Sequence, residues 1–146
     1  MALSFHVVSI LISFIVSFFI IFGSKGTKSH KLLGWIFTIS MLCSAVASFW
    51  VPSFGQWSPI HILSVLTIYW LIRAIVASRL KKPNWRYIHA MNMGSAYIGI
   101  LIAGAGVLVR HYVDPGNIAL GGIASLIIWL ITGPILIIKL KQYKVQ

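Results

Sequence analysis

Five predominantly apolar stretches, spanning 3–22, 32–50, 58–77, 87–109 and 118–138, occupy most of this 146-residue chain. Each meets the length of roughly 20 residues that a helix needs to cross a hydrocarbon core at ~1.5 Å rise per residue. Backbone polar groups cannot be left unpaired in lipid, so stretches of this kind fold as helices. The chain is 59% hydrophobic and 9% charged, and Asp114 is its sole acidic residue. A soluble domain needs a far richer charged surface. The reading is an all-α integral membrane protein: an up-down bundle of five transmembrane helices, a four-helix core plus one, in a single domain covering 1–146.

The gaps between stretches carry the topology. Lys25, Lys28 and Lys31 fill the first gap, Arg79, Lys81, Lys82 and Arg86 the third, and Lys139, Lys141 and Lys144 the tail. The second gap has no basic residue, and in the fourth Arg110 is balanced by Asp114. Cytoplasmic loops collect Lys and Arg, so the N-terminus is expected outside and the C-terminus in the cytoplasm. The net charge of +11 then reflects topology and contact with anionic lipid rather than nucleic acid, which would need a folded soluble surface. No basic residue precedes the first stretch and no A-x-A site closes it, so it reads as a retained helix rather than a cleaved signal. Cys43 stands alone inside the second stretch, and no C-x-x-C-H motif offers covalent haem attachment. Gaps this short make sequential helices antiparallel. Ser40, Ser44 and Ser48, and Gly99 with Ala103, recur at four-residue spacing, which usually means close helix contact.

Histidines provide the functional signal. His6, His30, His61 and His89 each stand near the start of one of the first four stretches. Because the stretches alternate in direction, His6 and His61 fall near the outer face and His30 and His89 near the inner one. The two planes are roughly 20 to 25 Å apart. Small residues at helical spacing beside His6, His30 and His89 leave room for a bulky group. Bland readings stand beside this one. His30, between Lys28 and Lys31, reads equally as an interfacial polar residue, and His6 and His111 as helix ends in the headgroup region. Ionisable groups within spans default to a functional role, which favours His61 and His89.

The run Gly26-Thr27-Lys28-Ser29-His30-Lys31-Leu32-Leu33-Gly34, the run Ser58-Pro59-Ile60-His61-Ile62-Leu63-Ser64, and His89-Ala90-Met91-Asn92-Met93 with Tyr97 and Ala103-Gly104 resemble an uncharacterised bacterial family of small multi-pass membrane proteins. The resemblance covers about 5–109, leaves the fifth stretch outside, and includes a histidine early in the first helix, matched by His6. The layout of the histidines is similar to the ascorbate-reducible transmembrane cytochromes, whose four-helix core holds two b haems. That resemblance implies that His6 and His61 ligate an outer haem iron and His30 and His89 an inner one, for electron transfer across the bilayer. Arg73, Lys81 and Arg86 are then placed to pair with propionates or another anion, although Arg73 reads equally as a snorkelling side chain. Asn92 and Tyr97 are placed to hydrogen-bond within the bundle.

Two other classes stand against this expectation. Zn or Cu could be held at an outer site by His6, His61, His111 and Asp114, or the chain is a haem-free small structural subunit of a larger membrane complex. The partners expected across these readings are the lipid bilayer, haem, a quinone or other small redox partner, and a second membrane protein or copy of the chain. Phosphate-loop and paired-carboxylate motifs are missing, so any reaction catalysed would be a redox one.

Overall fold

The computed structural model describes residues 1–51, 59–113 and 118–143. Five long helices run through them: α1 (Ala2–Phe22), α2 (Lys28–Ala47), α3 (Pro59–Leu80), α4 (Trp85–Leu108) and α5 (Ile118–Leu140). No strand occurs among the described residues, and all five helices are long and apolar enough to cross a membrane. Short helical turns follow three of them: a 3-10 turn at Ser48–Trp50, a π turn at Val109–Val113 and a second 3-10 turn at Lys141–Tyr143.

The helices exceed the apolar stretches because hydropathy marks the lipid layer whereas backbone hydrogen bonding marks the helix. At the start of α2, Thr27 accepts from the His30 backbone N–H at 3.1 Å, an N-cap that begins the helix at Lys28. His30, expected just ahead of the second helix, therefore lies in its first turn. At the far end of α3 the helix continues past Ala77 through Arg79 to Leu80. Lys81 then stops it with a left-handed φ of 48° while its N–H bonds the Ala77 carbonyl at 3.0 Å. Gly26 makes the corresponding left-handed turn before α2, with φ +80°. Pro134 lies inside α5 without ending it.

The chain divides into two compact units, Met1–Tyr69 and Trp70–Gln146, with the boundary inside α3. In the first unit α1 packs antiparallel on α2. The only buried residues of α1 are Ser9, Ser13 and Ser17, while Phe14, Phe18 and Phe19 point outward. Hydroxyls inside and phenyl rings outside invert the pattern of a water-soluble helix, as a lipid surround favours.

In the second unit α4 packs antiparallel on α5. A Cβ placed on Gly121 would stand 2.9 Å from the Gly106 carbonyl oxygen, and one on Gly106 would stand 2.8 Å from Ser125 Oγ. Ser125 Oγ donates to the Ile102 carbonyl across the pair and to Gly121 within its own helix, both at 2.9 Å. Closer to the other end, a Cβ on Gly94 would meet Leu136 Cδ1 at 2.5 Å. Most of the outward face of α5 is exposed Ile, Leu and Trp.

Candidate functional site

Serines of α2 build the polar seam of the first unit. Ser40 Oγ lies 2.6 Å from Ser13 Oγ of α1, and each hydroxyl also reaches a carbonyl of its own helix, Ser9 at 3.0 Å and Ile36 at 2.8 Å. One turn further on, Ser44 meets His6. Past the helix end, Ser48 Oγ donates to the Ala45 carbonyl at 2.7 Å and lies 2.7 Å from Ser64 Oγ of α3. The four-residue spacing of Ser40, Ser44 and Ser48 thus marks helix contact, with a different partner at each step.

His6 Nδ1 lies 2.9 Å from the Ser44 carbonyl oxygen and 3.0 Å from Ser44 Oγ. A carbonyl can only accept, so Nδ1 carries a proton, and in the neutral ring the lone pair lies on Nε2. Ser44 Oγ in turn donates to the His6 carbonyl at 3.4 Å. His89, in the second unit, repeats the device: its Nδ1 lies 3.0 Å from the Ala74 carbonyl of α3. Both histidines are half-buried. An Nδ1–H held by a backbone carbonyl is the usual outer support of a metal-ligating imidazole, because it fixes the ring and presents Nε2.

His61 is only 5% exposed and stacks on Phe49, with ring centroids 5.6 Å apart and planes inclined by 23°. His6 therefore meets the last turns of α2, at Ser44, and His61 the 3-10 turn that follows it, at Phe49, while His30 stands in the first turn of α2. From His30 to Ser44 α2 rises about 21 Å at ~1.5 Å per residue, which keeps the His30 level well apart from the His6 level. His30 is half-buried.

The remaining candidates are more peripheral. His111 is exposed in the π turn after α4, edge-on to Tyr112 at 5.7 Å. Asp114 lies outside the described residues. Among the described residues no three histidine, cysteine or acidic side chains gather as a closed metal centre would need. Arg73 and Lys81 are exposed, and the Arg86 guanidinium lies 5.6 Å from the centre of the Trp85 ring. Asn92 is buried and donates to the Ile88 carbonyl of its own helix at 2.6 Å, and Tyr97 is half-buried. Cys43 lines an open apolar groove of about 560 Å³ with Phe5, Leu42, Val46 and Trp50.

Two partners escaped sequence reasoning. The carbonyls of Ser44 and Ala74 leave no trace in a one-letter code, because every residue has one. Gly121 and Ser125 stand at four-residue spacing, the same kind of signal that pointed to Gly99 and Ala103, whereas Gly106 has Ile102 and Arg110 at that spacing and gives no such signal. Gly99 is indeed buried, yet the close approach to α5 falls at Gly106 and Gly121. No buried side-chain nitrogen or oxygen among the described residues lacks a hydrogen-bond partner.

No family profile, curated protein or solved structure matches this chain.

Proposed function

We propose that this chain is an integral membrane protein of the b-type cytochrome kind, which binds haem through histidine pairs and carries electrons across the bilayer. His6 and His61 serve an outer haem and His30 and His89 an inner one. The topology that goes with this reading has the N-terminus outside and the C-terminus in the cytoplasm of a bacterial inner membrane. The carrying observation is the carbonyl-bound Nδ1 of His6 and of His89, one histidine from each pair. With Nδ1 bound to a carbonyl, the neutral ring keeps its lone pair on Nε2, the nitrogen that would hold a haem iron. Burial of His61 beside Phe49 supports a dry outer site. Bound haem would supply a one-electron couple, and ligation by paired histidines would favour electron transfer over oxygen binding. The chain's own contribution is to fix the rings, exclude water and, through Arg73, Lys81 and Arg86, offer cations to propionates.

The visible spectrum of detergent-purified protein, oxidised and then reduced with dithionite, tests this reading. A Soret band that sharpens on reduction, with split α and β bands, is expected. Removing His6 should abolish one centre and spare the other. A colourless preparation from haem-replete cells would sink the proposal.

A second reading has its own support, because the same two hydrogen bonds tie α1 to α2 and α4 to α3 with no ligand at all. On that reading the protein is a haem-free structural subunit. A colourless protein that loses stability on His6→Ala or His89→Ala would establish it.

A further inference from the structure

Cations gather at one end of the second unit. Arg79 closes α3, Lys81 and Lys82 form the turn, Arg86 lies in the first turn of α4, and Lys139 and Lys141 end α5. The α4–α5 register brings these groups together. It sets Gly121 against Gly106 and Leu136 against Gly94, and followed to the end of α5 it places Lys141 beside the opening turns of α4. The turn Lys141–Tyr143 indeed packs on both α4 and α5. Lys81, Lys82, Lys139 and Lys141 are all exposed.

The sequence offers one acidic side chain, Asp114, which follows α4 in the chain, whereas these cations precede α4, open it or end α5. The start of α4 adds to the positive potential. Its first turn has no acidic residue and Asn84 provides no side-chain cap, so the amide dipoles there point their positive ends at the same region. Trp85, half-buried under the Arg86 guanidinium, is the residue type that settles at the level of lipid headgroups. The first unit differs. There Lys25 turns back, and its Nζ donates to the carbonyls of Ile20, Ile21 and Gly23 that end α1, leaving only Lys28 and Lys31 on the first turn of α2.

We propose that the end of the second unit formed by the Lys81–Arg86 turn and by Lys139 and Lys141 is a binding site for the phosphate headgroup of an anionic phospholipid, with the acyl chains lying along the apolar faces of α4 and α5. Cations from two separate chain segments converge on one headgroup, and Trp85 sets its depth. The site shares Lys81 and Arg86 with the set placed for propionates, whereas Lys82, Lys139 and Lys141 lie outside that set and so separate the two roles.

Native mass spectrometry of the delipidated, haem-free full chain in detergent, mixed with equimolar phosphatidylglycerol and phosphatidylcholine, tests the site. Phosphatidylglycerol should dominate the bound lipid and survive a large excess of inorganic phosphate. Lys139→Gln with Lys141→Gln should weaken its binding about tenfold or more, given a contribution of ~1 kcal/mol from each cation near an anionic headgroup. Lys28→Gln with Lys31→Gln, which removes the same charge from the first unit, should change it less than about twofold. Lys139→Arg with Lys141→Arg should retain binding, which separates loss of charge from loss of fold. Equal loss in the two glutamine pairs, equal uptake of phosphatidylcholine, or displacement by inorganic phosphate would each overturn the proposal.

Discussion

The α1–α2 pair and the α4–α5 pair solve one problem in two ways. Both hold antiparallel helices together while turning apolar side chains outward, and in lipid, which is as apolar as those side chains, hydrophobic burial would offer little drive. In the first pair hydroxyls and an imidazole reach across: Ser13 to Ser40 and His6 to Ser44. In the second the backbones themselves close in, with Gly106 and Gly121 leaving no room for a Cβ, and one hydroxyl, Ser125, spans the gap to the Ile102 carbonyl. Side-chain hydrogen bonds tolerate small shifts, because a hydroxyl rotates to find an acceptor. Backbone contact tolerates none, because a carbonyl cannot move without its helix.

That contrast predicts a ranking of substitutions. The largest effect is expected from Gly121→Ala, whose Cβ would press on a backbone carbonyl: a loss of about 2 to 3 kcal/mol, read as reversible unfolding in mixed micelles. A cost no greater than at an open glycine would show that the two pairs pack alike. Gly94→Ala comes next, at about 1 kcal/mol, because it meets the movable end of Leu136. Leu136→Ala should remove that clash, so the double variant is expected to show a coupling that Gly121→Ala with Leu136→Ala lacks. In the first pair, a double-mutant cycle on Ser13→Ala and Ser40→Ala should give a coupling of about 0.6 kcal/mol, the typical worth of a side-chain hydrogen bond in a membrane. A coupling several times larger would mean that the seam acts as a connected network rather than as separate bonds. The smallest change is expected from Gly122→Ala and Gly133→Ala, where a Cβ would meet nothing within 4 Å. Their stability should shift by less than about 0.5 kcal/mol, and in the stabilising direction given the helix propensity of alanine.

Legibility in the sequence varied with the kind of signal. The five helices were visible because lipid imposes one rule on every residue of a span, so the signal accumulates over some twenty positions. Helix ends were not, since the Thr27 cap and the left-handed Lys81 act through single backbone contacts outside the apolar stretches. The serine spacing on α2 announced a contact face, while the identity of each partner depended on where α1 and α3 lie along it. The histidines were visible as residues; that Nδ1 of His6 and of His89 is held by a main-chain carbonyl was not.

Sequence alone therefore dictated an all-helical chain with five membrane-length spans and the places where its few ionisable groups enter them. Tertiary structure decided the rest: which glycines touch, which hydroxyl meets which, and which nitrogen of an imidazole carries the proton. The physical reason is range. Partition into lipid depends on the composition of a local stretch, whereas a hydrogen bond or a close backbone approach depends on atoms brought together from distant positions, as Ser44 is to His6.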